Sequence, residues 1–185
     1  SSAASDVYKR QDHWTNNLEV GGGRIIGEAC HLIDLCVFLT GSLIKSVCMN
    51  SLGSSPSLDT EDMSLLLKFK NGSNCSINYF SNGSSKYSKE RLEVYSQGRT
   101  WVVDNYQKSI GYNVPKYKSL RTKLNKGQFI QFKNYIETIR NGKEPLIPIE
   151  QLINVTNASF GALKSLKNKE EEFLFCHINL FIFLL

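Results

Sequence analysis

The spacing of apolar and polar residues changes along the chain, and the spacing in residues 24–39 predicts a helix. Residues 24–39 carry apolar side chains at helical intervals, directly after the three glycines Gly21 to Gly23. Apolar residues also widen this face, so we predict a helix that is buried on most of its sides. Gly41 follows the last apolar residue and is a typical C-cap signal. The predicted helix therefore ends there.

The middle of the chain has the short apolar runs and turn residues that are typical of β-hairpins. The predicted strands cover residues 43–52, 63–70, 73–80, 91–95 and 100–104, with a loop at residues 96–98. Asn71-Gly72, between the second and third strands, is a strong hairpin signal, and we expect both turn positions to take positive φ. Strands joined by such hairpins pair in an antiparallel manner.

The last third of the chain returns to helical spacing. Residues 127–140 and 150–166 each predict an amphipathic helix, and Pro145 and Pro148 lie in an extended link between them. The order of elements is a helix, a series of hairpin strands and then two helices. This order predicts the α+β class, with an open antiparallel β-sheet and helices packed on one face.

Both ends of the chain differ from the remainder. Residues 1–11 have neither helical nor strand spacing, and we interpret them as an artefactual or disordered start. Residues 173–185 are almost wholly apolar but number only 13, whereas a membrane span needs about 20. We interpret this tail as a final buried strand or a misread terminus. The predicted domain accordingly covers residues 12–172.

Charge and cysteine content exclude several classes of protein. The net charge is +5, from 22 basic and 17 acidic residues that are scattered along the chain, whereas a nucleic-acid-binding protein gathers its basic residues into one patch. The five cysteines form no CxxC pair, which excludes a zinc knuckle and a thioredoxin-type motif. Dispersed cysteines are typical of reduced cytoplasmic proteins. We therefore predict a cytoplasmic protein with no nucleic-acid or membrane partner.

The candidate chemistry is concentrated on the first predicted helix. At 100° per residue, one stripe about 120° wide holds four polar residues, Arg24, Glu28, His31 and Asp34. One interpretation is a solvated surface with the ion pairs Arg24–Glu28 and His31–Asp34. The other is the wall of a cleft, in which His31 transfers a proton, because histidine titrates near neutrality. No second His or Cys cluster lies at ligand spacing, so we predict no metal site.

Three segments of the sequence resemble the C-terminal domain of the glucose–fructose oxidoreductase/inositol dehydrogenase (Gfo/Idh/MocA) family. They are His13-Trp14 with GGGRIIGEACHLIDL at residues 21–35, KERLEVYSQGRTWVVDNY at residues 89–106, and KGQFIQFKNYIETIRNGKEPLIPIEQLINVT at residues 126–156. The resemblance covers about residues 12–169. The motif GGRIIGE-x-CH is similar to the corresponding segment of members associated with alcohol-dehydrogenase-like domains and of relatives that act on nucleotide sugars.

The resemblance implies a dihydrodipicolinate-reductase-like fold and one half of an NAD(P)-dependent oxidoreductase. The enzyme would act on a hydroxyl or keto group of its substrate, which would be a sugar, a cyclitol or a nucleotide sugar. A missing N-terminal Rossmann domain would bind NAD or NADP and supply a catalytic lysine, while the sheet would form homo-oligomer contacts. This chain alone would then be inactive. The alternatives are a non-catalytic oligomerisation domain and a self-contained module that binds a small ligand.

The resemblance also implies roles for individual residues. His31 matches the family histidine that serves with the lysine in moving the hydroxyl proton, and Asp34 matches the structural Asp that follows it. The family often has Asp four residues before this histidine, where this chain has Gly27, and Glu28 stands one place later. We assign His31 and Glu28 to catalysis and Arg24 and Asp34 to substrate binding. Whether Glu28 takes the place of the family Asp stays open.

Overall fold

The computed structural model describes residues 20–53, 57–58 and 60–174, which form two compact units. We call residues 20–82 and 147–174 the helix-covered unit and residues 83–146 the meander unit. The described residues contain antiparallel sheets and three α-helices, which confirms the predicted α+β class. The strands belong to two four-stranded sheets, one in each unit, rather than to one continuous sheet.

The described elements follow the predicted order. They are a π-helical segment Ile25–Ala29, α1 Cys30–Thr40, β1 Ile44–Ser51, β2 Asp62–Phe69, β3 Asn74–Phe80, β4 Arg91–Ser96, β5 Arg99–Asp104, β6 Lys108–Tyr112, β7 Ser119–Arg121, α2 Gln128–Arg140, α3 Ile149–Asn168 and β8 Glu172–Phe173. The strand order is β3-β2-β1-β8 in the helix-covered unit and β4-β5-β6-β7 in the meander unit.

The core of the helix-covered unit includes one face of its sheet. Strand β2 shows why: Met63, Leu65 and Leu67 are buried, whereas Leu66, between two of them, is 58% exposed. Successive side chains of a strand point to opposite faces, so the apolar residues at every second position all reach the same core. The π-helical segment, α1 and α3 supply the rest of this core.

Strand β1 interrupts this alternation near its start. Its register against β2 shifts between Ile44 and Ser46, and the consecutive residues Ser46 and Val47 are both buried. The Ser46 hydroxyl donates a hydrogen bond to Oε1 of Glu171 at 2.6 Å. This bond satisfies a polar group that the irregularity turns inward.

Helix α3 approaches strand β1 closely at Gly161. A Cβ atom at this position would lie 3.0 Å from Cγ1 of Val47, closer than ordinary van der Waals contact. The neighbouring residues Ala158 and Ala162 are also small and fully buried. Small side chains on this face of α3 therefore allow the helix to lie against the sheet, and a larger residue at Gly161 would force the two apart.

A buried amide fixes the start of α3 against the start of β1. Oδ1 of Asn154 accepts a hydrogen bond from the Ile44 backbone N–H at 2.7 Å, and its Nδ2 donates to the Ile44 carbonyl oxygen at 3.0 Å. Asn154 is only 6% exposed. One side chain thus satisfies both backbone polar groups of Ile44, which would otherwise be buried without a partner.

We expect Asn154→Ala to destabilise the fold by about 1–3 kcal/mol, because it leaves the Ile44 N–H and carbonyl unsatisfied inside the protein. Chemical denaturation monitored by circular dichroism measures this loss. Asn157→Ala is the matched control, since Asn157 is exposed on the same helix, and it should change the free energy of unfolding by at most about 0.5 kcal/mol. Equal losses in the two variants would contradict the role given to Asn154.

The turn predictions have mixed outcomes. Gly41 is the left-handed C-cap of α1, with φ of 59°, as predicted. Asn71-Gly72 does join β2 to β3, but only Gly72 has positive φ, at 88°, so the expectation for Asn71 is wrong. The Gly72 N–H donates to the Phe69 carbonyl, and this longer loop needs one left-handed residue rather than two. A two-residue turn with two positive φ values occurs instead at Gln97 and Gly98, with φ of 51° and 70°.

The meander unit lacks a buried strand face. No residue of β4, β5, β6 or β7 is fully buried, and β6 and β7 were not predicted. Helix α2 lies where the sequence predicts a helix, but within it only Thr138 is buried. The apolar face of this helix is therefore exposed in the described part of the chain.

Predictions for the two ends fall mainly outside the described residues. The start at residues 1–11 lies wholly outside them, as does the tail from residue 175 onward. Glu172 and Phe173 form the short strand β8, which pairs antiparallel with β1 at Val47 and Ser46. Phe173 is the one residue of the predicted tail in β8, and it is 52% exposed; the final buried strand therefore stays a prediction.

Candidate functional site

The four predicted site residues lie where a π-helical segment passes into helix α1. Residues Ile25–Ala29 are π-helical, and regular α-helix begins at Cys30. A π-turn holds more residues than an α-turn, so the rotation of 100° per residue behind the predicted stripe does not apply across this segment. Single π-turns inside α-helices occur frequently at functional sites. The segment therefore changes how the side chains before and after it are aligned.

Arg24 is buried at the start of this segment, between two carboxylates. Its side chain is 2% exposed, its Nη1 lies 3.9 Å from Oε1 of Glu28, and its Nε lies 3.8 Å from Oε1 of Glu61. Nε is buried and has no hydrogen-bond partner among the described residues. The contact with Glu28 is the predicted i,i+4 pair, and Glu61 was not predicted. Two carboxylates offset the desolvation of one buried guanidinium.

We expect the double variant Glu28→Gln/Glu61→Gln to lose about 1–3 kcal/mol of stability, because it leaves the buried guanidinium without a counter-charge. The two single variants should each lose less. Urea unfolding of the 185-residue chain measures these changes. A control is Glu137→Gln in α2, which removes an ion pair of the same 3.9 Å separation, between Lys133 and Glu137, in which both side chains are more than half exposed. Its effect should be below about 0.5 kcal/mol.

His31 differs from Arg24 in being exposed, and Asp34 is half-buried. Neither side chain forms a hydrogen bond or an ion pair within the described residues, so the predicted pairing of His31 with Asp34 is not formed. An exposed imidazole that has no partner within this part of the chain is accessible to a ligand that approaches this side of α1. The structure thus brings Arg24 and Glu28 together, adds Glu61 to them, and leaves the His31 ring accessible.

The neighbouring thiol of Cys30 has a perturbed protonation equilibrium. Burial raises the pKa of Cys30, and the nearby carboxylates of Glu28 and Asp34 raise it further. Both effects disfavour the thiolate, which is the nucleophilic form of cysteine. The Cys30 side chain is therefore not an activated nucleophile beside His31.

Other features of the described residues do not add to this site. In residues 20–53, 57–58 and 60–174, no three His, Cys, Asp or Glu side chains cluster closely enough to hold a metal ion. The same residues contain no helix with the length and apolar content needed to cross a bilayer. A hollow of about 260 Å³ in the meander unit includes none of the predicted site residues; it is lined by Gly111, Asn113, Val114, Pro115, Tyr117 and Lys118.

The fold of this chain matches about half of each of several solved oxidoreductase structures. Levoglucosan dehydrogenase, solved with NADH and levoglucosan, matches 92% of this chain and has 14% sequence identity and a TM-score of 0.74; the chain spans 55% of it. An NAD-binding oxidoreductase from Klebsiella pneumoniae matches 88%, with 15% identity and a TM-score of 0.72; the chain spans 54% of it.

A third solved structure, the aldose–aldose oxidoreductase from Caulobacter crescentus with glycerol, matches 89% of the chain, with 15% identity and a TM-score of 0.69. The chain spans 52% of that protein, so it covers only about half the length of the structures it matches. No curated protein matches the sequence significantly. Residues 2–101 match the family model for the GFO/IDH/MocA C-terminal domain. The chain belongs to this family, which confirms the resemblance found in its sequence.

Proposed function

We propose that this chain is the substrate-binding half of an NAD(P)-dependent oxidoreductase that acts on a hydroxyl or keto group of a sugar, cyclitol or nucleotide sugar. Family membership supports the reaction class. The structures with the same fold include enzymes with levoglucosan and aldoses in their names, which supports a sugar-like substrate. The observation that carries the proposal is the exposed imidazole of His31 on α1, for which the described residues supply no hydrogen-bond or ion-pair partner.

The nucleotide belongs mainly to the other half of such an enzyme. Within the described part of this chain both sheets are antiparallel, whereas a Rossmann site requires a parallel strand–helix–strand unit. The described residues therefore do not form a Rossmann-type NAD(P) site, and we place that site on a preceding domain. When bound there, the nicotinamide accepts or donates the hydride.

His31 is proposed to move the proton that accompanies this hydride. Oxidation of a secondary alcohol releases a hydride from carbon and a proton from oxygen, and a base beside the hydroxyl group accelerates the second transfer. In the direction of reduction, the protonated imidazole returns that proton to the carbonyl oxygen. A lysine of the preceding domain would share this task, as the family resemblance implies.

The remaining site residues are proposed to act around His31. Glu28 is the second candidate for catalysis, and its carboxylate lies beside the buried Arg24. With a side chain that is only 2% exposed, Arg24 is better placed to hold Glu28 than to touch a substrate directly. Asp34, which is half-buried on α1, stays a candidate for substrate binding.

Two further parts of the proposal concern assembly and location. Leu66 and Phe80 are 58% and 52% exposed on the sheet face that does not form the core, which supports homo-oligomer contacts through this face. Cys36, Cys48 and Cys75 are free thiols, which is compatible with a cytoplasmic protein.

The test uses the two-domain protein, in which a nucleotide-binding half precedes this chain, and the 185-residue chain alone. Each is incubated with NAD⁺ or NADP⁺ and a panel of sugars, cyclitols and nucleotide sugars, and the absorbance of the reduced nicotinamide is followed. We expect turnover of at least one substrate class by the two-domain protein and none by the chain alone. Absence of turnover with every class would refute the proposal, and sugar binding by the chain alone would favour a self-contained binding module.

A further inference from the structure

Two cysteine side chains from distant parts of the sequence lie side by side in the helix-covered unit. Cys36, on α1, belongs to the buried core, and the half-buried Cys75, on β3, packs against that core. Helix α1 contacts β3, and the side chains of the two cysteines are hydrogen-bonding neighbours. Both thiols are free. The fold thus brings two reduced sulfur atoms, 39 positions apart in the sequence, to one place.

The packing of the helix and the strand aims both side chains at the same space. On β3, Cys75 shares the core-facing side of the strand with Ile77, which is 6% exposed, while Ser76 between them is exposed on the other side. On α1, Cys36 lies one turn after Ile33, which is fully buried. The two sulfur atoms therefore approach each other from opposite sides of the contact between helix and sheet.

The interaction between the two thiols makes them chemically unequal. The hydrogen bond with Cys75 raises the pKa of Cys36, and burial raises it further. The same hydrogen bond lowers the pKa of Cys75 and outweighs the effect of its burial. The thiolate is the form of cysteine that attacks an oxidant. Cys75, which is also the more exposed of the two, is therefore the sulfur that reacts first, with Cys36 beside it as the resolving thiol.

We propose that Cys36 and Cys75 form a reversible disulfide, which links α1 to β3 when the protein meets hydrogen peroxide. The Cys75 thiolate attacks one peroxide oxygen, the O–O bond breaks, and protonation of the leaving oxygen gives water and a sulfenic acid on Cys75. The Cys36 sulfur then attacks the Cys75 sulfur, and its proton leaves with the hydroxyl group as a second water. Two thiols and one peroxide thus give one disulfide and two waters, and a dithiol reductant restores both thiols.

The disulfide would fasten the helix that carries His31 to the sheet. A cross-link between positions 36 and 75 restricts the unfolded chain more than the folded one, in which the sulfur atoms are already neighbours. The equilibrium constant for folding should therefore be about 30- to 1,000-fold larger in the oxidised chain than in the reduced one. Disulfides that form in the cytoplasm are usually transient and redox-sensing, so this site is compatible with a protein whose thiols are normally reduced.

Peroxide treatment of the folded 185-residue chain tests this site. The remaining thiols are blocked with N-ethylmaleimide, and linked peptides are identified by mass spectrometry before and after reduction with dithiothreitol. We expect the peptides of Cys36 and Cys75 to be the main linked pair within one chain, and the reductant to separate them fully. Absence of this pair would overturn the inference. So would a main cross-link that joins either residue to Cys48 or to Cys176, which lies outside the described residues.

Serine and alanine variants identify the role of each sulfur. Cys75→Ser and Cys36→Ala should each abolish the cross-link, and alanine keeps the buried position of Cys36 apolar. Cys48→Ser is the matched control, because Cys48 is half-buried like Cys75 but lies on β1, and it should leave the yield within about twofold. In Cys36→Ala, a dimedone probe should label a sulfenic acid at Cys75. A cross-link that survives Cys75→Ser, or label at Cys36 rather than Cys75, would overturn the assignment.

Urea unfolding of the oxidised and reduced forms measures the effect on the fold. The midpoint should be higher for the oxidised chain and should return to the reduced value after dithiothreitol treatment. An unchanged or lower midpoint would overturn the inference, because a disulfide that matches the native fold does not strain it. No substrate or nucleotide enters these experiments, so their outcome is independent of the proposed reaction.

Discussion

In the proposed two-domain enzyme, His31→Ala should lower kcat/KM by about 10²–10⁴-fold, the usual contribution of a general acid–base group. Of the four proposed site residues, His31 alone is exposed. Alanine removes the proton acceptor without changing the core. Steady-state kinetics in both directions of the reaction measure the loss, which should appear in kcat more than in KM.

His31→Gln and a stability measurement complete this experiment. Glutamine retains a hydrogen-bonding side chain but cannot take up a proton at neutral pH, so its loss should approach that of alanine. Because His31 is exposed, both variants should unfold within about 0.5 kcal/mol of the unchanged chain. Activity within threefold of the unchanged enzyme for either variant would remove His31 from the mechanism.

The largest effect on stability is expected for Leu65→Ala, at about 2–5 kcal/mol. Leu65 is 0% exposed in the centre of β2, and its truncation loses apolar transfer free energy and leaves a cavity. Equilibrium unfolding in urea measures the change. Such a loss is a large fraction of the total stability of a domain of this size.

Leu66→Ala is the matched control for this prediction, since it makes the same chemical change one residue later on the same strand. Leu66 points to the opposite face and is 58% exposed, so its truncation should cost no more than about 0.5 kcal/mol. Similar losses at both positions would mean that the two faces of β2 are buried alike, and the assignment of the core face would be wrong.

Local signals predicted much of the helix-covered unit correctly. The alternation of Met63, Leu65 and Leu67 with exposed neighbours identifies β2, because one face of the strand is buried. Gly41 marks the end of α1 because the C-cap position of this helix has positive φ, which glycine adopts readily. Asn71-Gly72 located the hairpin but not its type, because loop length, rather than the dipeptide alone, decides which residues take positive φ.

Features that depend on distant residues could not be read from the sequence. Strands β6 and β7 have no buried face, so they have no alternation to detect. The π-helical segment is only five residues long, too short for its period to differ visibly from 3.6. Glu61 contacts Arg24, from which it is separated by 37 positions in the sequence, and no local pattern predicts such a contact.

The candidate site was predicted as a set of residues, but not as an arrangement. The helix and its polar residues follow from spacing, and the pair of Arg24 with Glu28 follows from their separation by four residues. Burial distinguishes these residues further, since Arg24 is 3% exposed whereas His31 is exposed. A uniform rotation of 100° per residue cannot predict this difference, because the π-helical segment lies between them.

The two hydrogen bonds between the Asn154 side chain and the Ile44 backbone join positions 110 residues apart. This separation has a consequence for biosynthesis. The early strands leave the ribosome long before α3, which supplies the amide and part of their core. Until then the nascent chain carries an unfinished sheet, which chaperones must shield from aggregation. Strands β1, β2 and β3, which share this core with α3, are therefore expected to complete their fold only after the ribosome has delivered α3.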